Sequence, residues 1–251
     1  MGPLDRPDAA ARVAVIIPVF NHPARLQRVI EETLSLGLPL VLVDDGSTDE
    51  SVAILDGFLE RPGVTLLRHP TNLGKGAALR DGFRAAAPFA DWALTLDADG
   101  QHPPAEARRL LAFPSSGERA IVIGRRLGMD KKATPWTSRW GRGFSNFWVW
   151  AAGGVRVSDS QSGFRLYPLP EVLELGTLAN RFQFEVEVLA LAAWNGLPIR
   201  EVPVRVVYQP GRERVSHFRP WLDFLRNSET FTRLICRRLL DFFKAHRGER
   251  G

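Results

Sequence analysis

The chain has 251 residues, of which 45% are hydrophobic and 24% charged, a balance that fits one large folded domain and excludes an intrinsically disordered protein. The single cysteine, Cys236, excludes an internal disulfide and suits a reducing compartment. The formal net charge is +5, and no stretch approaches the ~20 apolar residues that span a bilayer, so membrane contact is expected to be peripheral.

The first half of the chain alternates the patterns of buried strands and amphipathic helices. Strands are predicted at Val13–Val19, Leu40–Val43, Val64–Leu67, Trp92–Leu96 and Ile121–Ile123. Helices are predicted at about Ala24–Leu36, Asp49–Leu59, Lys75–Ala87 and Ala105–Phe113. This alternation predicts βαβ units and an α/β fold with a mostly parallel sheet, which binds ligands beyond the carboxyl ends of its strands.

The second half is less regular. Lys131–Gly154 is aromatic and basic, and no regular element is predicted there. Further on, a short strand is predicted at Gly163–Tyr167, a helix at Phe184–Trp194, a strand at Ile199–Tyr208 and one long helix from Pro220 onward.

Two carboxylates follow the Trp92–Leu96 strand in the sequence Asp97-Ala98-Asp99-Gly100-Gln101. At this spacing both can face a crevice, and hard oxygen ligands suit Mg²⁺ or Mn²⁺, which neutralise a diphosphate leaving group. A solvated acidic turn is the alternative for this motif taken alone.

Two further polar motifs lie near the same edge of the predicted sheet. In Asp44-Asp45-Gly46-Ser47 a carboxylate can accept hydrogen bonds from a nucleobase or ribose, or the segment can cap a helix. Asn72-Leu73-Gly74-Lys75-Gly76 places a lysine at a helix start, where phosphate can approach, but it lacks the spacing of a P-loop.

Four motifs in order resemble the family 2 glycosyltransferases, whose fold is called GT-A. They are Ile16–Asn21, Val43–Asp49, Asn72–Gly76 and Asp97–Pro104, and the resemblance spans Val13 to about Arg126. In the second half, Asp159–Arg165, Phe182–Glu187 and Glu201–Val204 look like the polyprenyl-phosphate branch, which includes dolichol-phosphate mannose synthases. His22 and the Arg212–Phe218 segment depart from that branch.

The resemblance implies a role for each matching position. A nucleotide-sugar donor, with UDP or GDP as its nucleotide, would be bound by Pro18, Asn21, Asp44, Asp45, Gly74, Lys75, Ala98 and Arg126. The metal, Mg²⁺ or Mn²⁺, would be held by Asp97, Asp99 and Gln101, and Arg125 would pair with phosphate. An acceptor phosphate would meet Arg165 and Arg212 or Arg214.

The acceptor decides whether a general base is needed. The family inverts the anomeric carbon, so the acceptor attacks opposite the leaving diphosphate. A lipid phosphate is already ionised, whereas a hydroxyl must lose its proton to a carboxylate. Asp159, Glu185 and Glu187 are the candidates, and a structural role for Glu187 is an equal alternative.

The C-terminal segment from Arg219 carries eight basic and four acidic residues. Its apolar residues recur at helical spacing, which predicts either an amphipathic helix at an anionic membrane surface or a helix packed on the core. No motif indicates nucleic-acid binding.

The sequence therefore predicts a single GT-A domain with three parts: a donor-binding half (12–126), an acceptor-binding half (127–218) and a basic helical tail (219–251). It predicts a metal-dependent transferase that uses a lipid-linked acceptor, located in the cytoplasm on the inner face of the membrane, with an unnamed integral-membrane partner left open. A transferase acting on a hydroxyl of another lipid, pigment or glycan, and a catalytically silent membrane-surface protein, are the alternatives.

Overall fold

A computed structural model describes residues 11–127, 136–207 and 232 of the chain. Seven strands form one sheet: β1 (Val13–Val19), β2 (Leu40–Asp44), β3 (Val64–Arg68), β4 (Trp92–Thr95), β5 (Ile121–Leu127), β6 (Arg165–Pro168) and β7 (Ile199–Arg205). The α-helices are α1 (Pro23–Leu34), α2 (Ser51–Asp56), α3 (Lys75–Ala86), α4 (Ala107–Leu111), α5 (Trp136–Gly153), α6 (Glu171–Glu174) and α7 (Phe184–Trp194).

The sheet has the order β3-β2-β1-β4-β6-β5-β7. Strands β1 to β4 run parallel, as do β5 and β7, while β6 is antiparallel to both of its neighbours. Because β6 reverses direction between β4 and β5, the carboxyl ends of β1, β2, β4 and β5 all lie at one edge. The predicted mostly parallel sheet is confirmed.

Each face of the sheet is covered by helices, because the side chains of a strand point alternately to its two faces. Ile16, Val41 and Val43 belong to a core that includes residues of α3, α5 and α7. Ile17 and Leu42 belong to the opposite core, which includes residues of α1, α2 and α4. Strands buried on both faces explain the continuous apolar runs in the sequence.

The elements predicted in the first half are all present, with ends that differ by a few residues. Pro103 and Pro104 open the α4 region, where a short 3₁₀ turn (Pro104–Glu106) precedes a helix of five residues. The helix α5 was not predicted, because its three glycines and dense aromatic residues obscure helical periodicity. It packs on α7.

Apart from residue 232, which is helical, the predicted C-terminal helix lies outside the described residues, and so do Arg212 and Arg214. Within the described part of the chain, no helix is both long enough and apolar enough to cross a membrane.

Candidate active site

The site begins where β1 and β4 separate. The chain passes from β1 outward to β2 and β3 and then returns to β4 on the other side of β1, so this point is where the direction of strand order reverses. The last contact of that ladder joins Leu96 N to Ile16 O at 3.0 Å. Pro18 follows beyond it, and its missing N–H leaves no ladder bond unmade. At such a point an open α/β sheet is expected to have a ligand-binding crevice.

Asn21 and Asp44 shape the adjoining turn after β2. Asn21 has a left-handed backbone (φ 47°). Its amide oxygen accepts from Thr48 N at 2.8 Å, and its own N–H donates to Ser47 Oγ at 3.1 Å. The Asp44 carboxylate accepts from Ser47 N at 2.9 Å and from Arg68 Nε at 3.3 Å. Both predicted donor-binding residues therefore hold the loop at the crevice.

Asp45 is an internal anchor of the next turn. One carboxylate oxygen accepts from Leu73 N at 2.8 Å and lies 2.7 Å from His69 Nδ1. The other accepts from Gly74 N at 2.8 Å and Asn72 Nδ2 at 3.0 Å. A carboxylate has about four acceptor sites, and all are used within the protein. Asp45 thus fixes the turn, and these bonds leave it little capacity for the nucleotide contact predicted from sequence.

Lys75, the first residue of α3, reaches across the crevice. Its Nζ lies 2.6 Å from Asp97 Oδ1 and 2.5 Å from Glu185 Oε1, so it joins the predicted donor half to α7. Burial alone lowers the pKa of Lys75, but the attraction of Asp97 and Glu185 outweighs it and raises the pKa above its ordinary value. Lys75 is therefore a fixed cation at the crevice.

Asp97 and Asp99 flank the buried Ala98 just past β4. Burial raises the pKa of Asp99 to about 6, with the charge of Asp97 as the second cause. Burial acts in the same sense on Asp97, but Lys75 overcomes it and lowers the pKa of that carboxyl. Gln101 donates to Asp99 through its backbone N at 2.9 Å and its side-chain amide at 2.7 Å. The nearby positive charge is therefore not enough to offset the cost of burying the ionised Asp99 carboxylate.

Asp97 and Asp99 supply oxygen ligands of the kind that a divalent cation takes together with water and substrate phosphates, while within the described residues no group of three or more His, Cys, Asp or Glu could hold a metal ion by itself. Lys75 and Arg126 stand against the acids that contact or flank them, Asp97, Asp99, Asp159 and Glu185. The room beside Asp97 depends on Gly163, because a Cβ there would lie 2.7 Å from Asp97 Oδ1 and 2.7 Å from Lys75 Nζ. Paired carboxylate oxygens of this kind suit Mg²⁺ or Mn²⁺.

Asp159 and Arg126 pair with each other. Arg126 Nε and Nη2 each donate to one oxygen of the buried Asp159 at 2.7 Å. The turn that carries Asp159 is held from both sides, by Asn146, which accepts from Ser160 N at 3.0 Å, and by Glu201, which accepts from Ser158 N at 2.7 Å. The predicted general base and the predicted phosphate ligand thus neutralise one another.

The other two candidate bases also have protein partners. Glu185 is buried and is bound to Lys75. Glu187 accepts from Leu178 N at 2.9 Å and from Ala179 N at 2.6 Å, so the structural alternative for Glu187 is the one observed.

Arg165 does not fit its predicted contact with an acceptor phosphate. Its side chain is fully buried, and its guanidinium donates to the carbonyl oxygens of Ser160, Ser162 and Glu185 at 2.7–2.8 Å. The sequence could not separate a surface arginine from one that braces two loops, because both follow a short polar turn. Arg165 instead positions Glu185 and the 160–162 turn.

Arg125 lies at the carboxyl end of β5, level with Asp97 across β6. Ile123 of β5 pairs with Arg165 of β6, and Arg165 pairs with Thr95 of β4. Arg125 lies two positions after Ile123, and Asp97 lies two positions after Thr95. Within the described part of the chain, the side chain of Arg125 makes no hydrogen bond or ion pair, so its guanidinium remains available to a phosphate.

Two histidines at the site were missed from the sequence. His69 lies between Asp45 and Asp81, and His102 is buried against Phe164 with ring centroids 5.1 Å apart. Burial lowers the pKa of His102 to about 4, so the ring is neutral at pH 7. Its Nδ1 has no hydrogen-bond partner among the described residues. Both follow a strand end by only a few residues, which is the signal that could have found them.

A second feature lies beside the Asp159 turn. A cavity of about 350 Å³ is lined by Gly143, Asn146, Phe147, Trp150, Arg156 and Val157. Phe147 and Trp150 are 52% and 45% exposed, so α5 presents large aromatic side chains next to a cationic one.

Comparison with known proteins gives consistent results. The profile of Glycosyl transferase family 2 matches residues 14–168. The UDP-N-acetylglucosamine–dolichyl-phosphate N-acetylglucosaminyltransferase of Methanococcus voltae is 30% identical over 215 residues, covering 78% of this chain and 86% of that protein. The dolichyl-phosphate beta-glucosyltransferase of Drosophila melanogaster is 30% identical over 240 residues, covering 86% and 72%.

A solved structure shares the fold. The glucosyl-3-phosphoglycerate synthase of Mycobacterium tuberculosis, in complex with Mn²⁺, UDP and phosphoglyceric acid, superposes with a TM-score of 0.65 at 20% identity. The match covers 91% of this chain and 78% of that one. The expected fold is confirmed, and the relatives bear out the resemblance to polyprenyl-phosphate transferases.

Proposed function

The chain belongs to glycosyl transferase family 2, and from that premise we propose that it is an inverting, metal-dependent enzyme that transfers a sugar from a UDP- or GDP-sugar to a polyprenyl phosphate. It has the GT-A fold and is a glycosyltransferase. The nucleotide, the metal and the acceptor belong to the proposal.

The choice of acceptor in this proposal rests on three carboxylates that already have partners within the protein. Asp159 is bound by Arg126, Glu185 by Lys75 and Glu187 by two backbone amides. None of these three is an unpartnered base for a hydroxyl acceptor. A phosphate monoester needs no base, because its attacking oxygen is already ionised. The geometry therefore favours a phosphate as the nucleophile.

The site residues divide the remaining work. The turns fixed by Asn21, Asp44 and Asp45 bind and orient the nucleotide in the crevice beyond β1 and β2. Asp97, Asp99 and Gln101 would hold a divalent cation, which would neutralise the charge of the leaving diphosphate. Lys75 adds a fixed positive charge beside it, and Arg125 is available to a phosphate oxygen.

The lipid part of the acceptor fits the cavity on α5. Phe147 and Trp150 offer apolar surface, Arg156 offers a cation, and Asn146 links the cavity wall to the Asp159 turn. An isoprenoid chain with an anionic head matches this combination. The relatives named for dolichyl phosphate support the same acceptor class, and the proposal includes a peripheral location on the inner face of the membrane.

The test is release of the nucleotide diphosphate from a panel of UDP- and GDP-sugars with Mn²⁺ or Mg²⁺, with and without polyprenyl phosphate, alongside Asp99→Ala. We expect turnover that EDTA abolishes, that the lipid stimulates and that the variant loses. Turnover on a hydroxyl acceptor without lipid stimulation would overturn the acceptor. Absence of any nucleotide-sugar binding would overturn the enzyme and leave a silent surface protein.

A further inference from the structure

His69, the residue after β3, bridges two carboxylates from different elements. Its Nδ1 lies 2.7 Å from Asp45 Oδ1, and its Nε2 lies 3.0 Å from Asp81 Oδ2. The His69 side chain is 9% exposed, so the bridge is largely shielded from water. Asp45 follows β2 and Asp81 lies on α3, and His69 thus ties the sheet to the helix that begins at Lys75.

Both ring nitrogens of His69 face acceptors. The other contacts of Asp45 are with backbone and amide N–H donors, and the second oxygen of Asp81 accepts from Arg84 Nη1 at 2.6 Å. Both partners are therefore arranged as carboxylates. A neutral imidazole carries one N–H and donates only once. Both contacts are hydrogen bonds only when both nitrogens carry hydrogen.

The bridge acts on the turn that precedes Lys75. The same Asp45 carboxylate binds the amides of Leu73 and Gly74, and Gly74 is the residue that caps α3. The turn cannot move toward Gly46, because the two backbones are packed so closely that a Cβ on Gly46 would lie 2.7 Å from Asn72 N. A shift of Asp45 thus moves the turn and, with it, the origin of the Lys75 side chain.

We propose that His69 is a positioning residue for sugar transfer, a bridge between two carboxylates that holds Asp45 against the Asn72–Gly74 turn and so places Lys75 at the donor diphosphate. The inference rests on the proposed function, because that function gives Lys75 its place beside the leaving group. His69 itself touches no reacting atom.

Two conservative variants separate the two arms of the bridge. The amide of His69→Asn can reproduce the Nδ1 donor to Asp45, and the amide of His69→Gln can reproduce the Nε2 donor to Asp81. We expect His69→Gln to raise the KM for the nucleotide sugar about tenfold, since a lost hydrogen bond to a buried charged group loosens the turn, and His69→Asn to stay nearer to wild type. Arg84→Gln is the matched control, because it removes the other partner of Asp81 and leaves both imidazole contacts.

A spectroscopic readout is independent of turnover. In ¹⁵N-labelled protein, with the His69 signals assigned by their absence in His69→Gln, both ring nitrogens should show the chemical shifts of hydrogen-bonded nitrogens. A ring nitrogen with no hydrogen bond, or a wild-type KM in His69→Gln with unchanged thermal stability, overturns the inference. Wild-type protein that binds no nucleotide sugar overturns the proposed function and the positioning role with it, while the spectrum still reports the state of the bridge.

Discussion

Among single residues, Asp99 is a carboxyl group that the fold makes unfavourable to ionise. Burial and the nearby charge of Asp97 raise its pKa from 3.8 to about 6. At Asp99 the folded state therefore binds more protons than the unfolded state between about pH 4 and 6, and the contribution of Asp99 to metal-free stability falls as pH rises through that window. Above it the whole penalty is present, and a cation bound beside Asp99 would offset it.

Asp99→Asn should therefore stabilise the metal-free protein while abolishing transfer. In EDTA at pH 7.5 we expect a gain of at most about 3 kcal/mol in the free energy of unfolding, because the amide carries no charge to bury. The gain should shrink toward pH 4, where wild-type Asp99 is protonated. Thermal and urea unfolding across pH 4–8 measure it, and a variant less stable than wild type at pH 7.5 contradicts the prediction.

Lys75 and Arg126 show what the sequence left out of the prediction for the catalytic carboxylates. Their partners, Glu185 and Asp159, lie 110 and 33 positions away in the chain. The sequence does not show which cation lies beside an acidic residue in the folded protein. Only the approach of α7 to the start of α3, and of the 158–160 turn to β5, reveals that these acids are neutralised.

At the scale of elements, the segment just before β6 lies close against the side chains of Asp97 and Lys75. Gly163 passes over Asp97 and Lys75, where a Cβ would lie 2.7 Å from Asp97 Oδ1. Its carbonyl also accepts from Thr95 Oγ1 at 2.7 Å, so the chain there cannot easily retreat. The absence of a side chain on this segment thus preserves the space beside the carboxylate.

Gly163→Ala should therefore lower turnover at least 100-fold and weaken metal binding, because the methyl group displaces the Asp97 carboxylate, and misplacement by about 1 Å can cost that much. Gly143→Ala on α5, whose Cβ meets nothing within 4 Å among the described residues, is the control for folding and should raise stability by about 0.5–1 kcal/mol. Metal titration and thermal unfolding of both variants provide the comparison. Unimpaired metal binding in Gly163→Ala contradicts the prediction.

At the scale of the whole molecule, the donor crevice and the aromatic surface of α5 meet at the Asp159 turn. Asn146 lines the cavity with Phe147 and Trp150 and also accepts from Ser160 N at 3.0 Å. A lipid lying along α5 would bring its phosphate toward the crevice. The two substrates would then approach from opposite sides, one from solution and one from a membrane surface.

Phe147→Ser combined with Trp150→Ser should raise the KM for long-chain polyprenyl phosphate about tenfold, because the aromatic surface that binds the chain is removed. The KM for the nucleotide sugar should not change, since neither residue contacts the donor crevice. Initial rates with long-chain and short-chain lipid phosphates measure the difference. Equal effects on both chain lengths contradict the assignment of the cavity to the lipid.

Much of the secondary structure and the position of the site could be predicted from the sequence, because both follow from local chemistry. Apolar runs and helical spacing fixed the first five strands and the helices between them, because hydrophobic periodicity follows directly from which faces are buried. The acidic motifs after β2 and β4 were located for the same reason, since parallel strands bring their carboxyl ends to one edge. Asp97, Asp99 and Lys75 do lie together there.

Only the tertiary structure showed which of the polar residues are available to contact a ligand. It showed that Asp45 anchors a turn, that Arg165 is buried among carbonyl groups, and that Asp159 and Glu185 have cations beside them. It also placed His69 between two acids and revealed α5. These facts depend on contacts between distant parts of the chain, and charge neutralisation is a property of such contacts, which the order of residues does not contain.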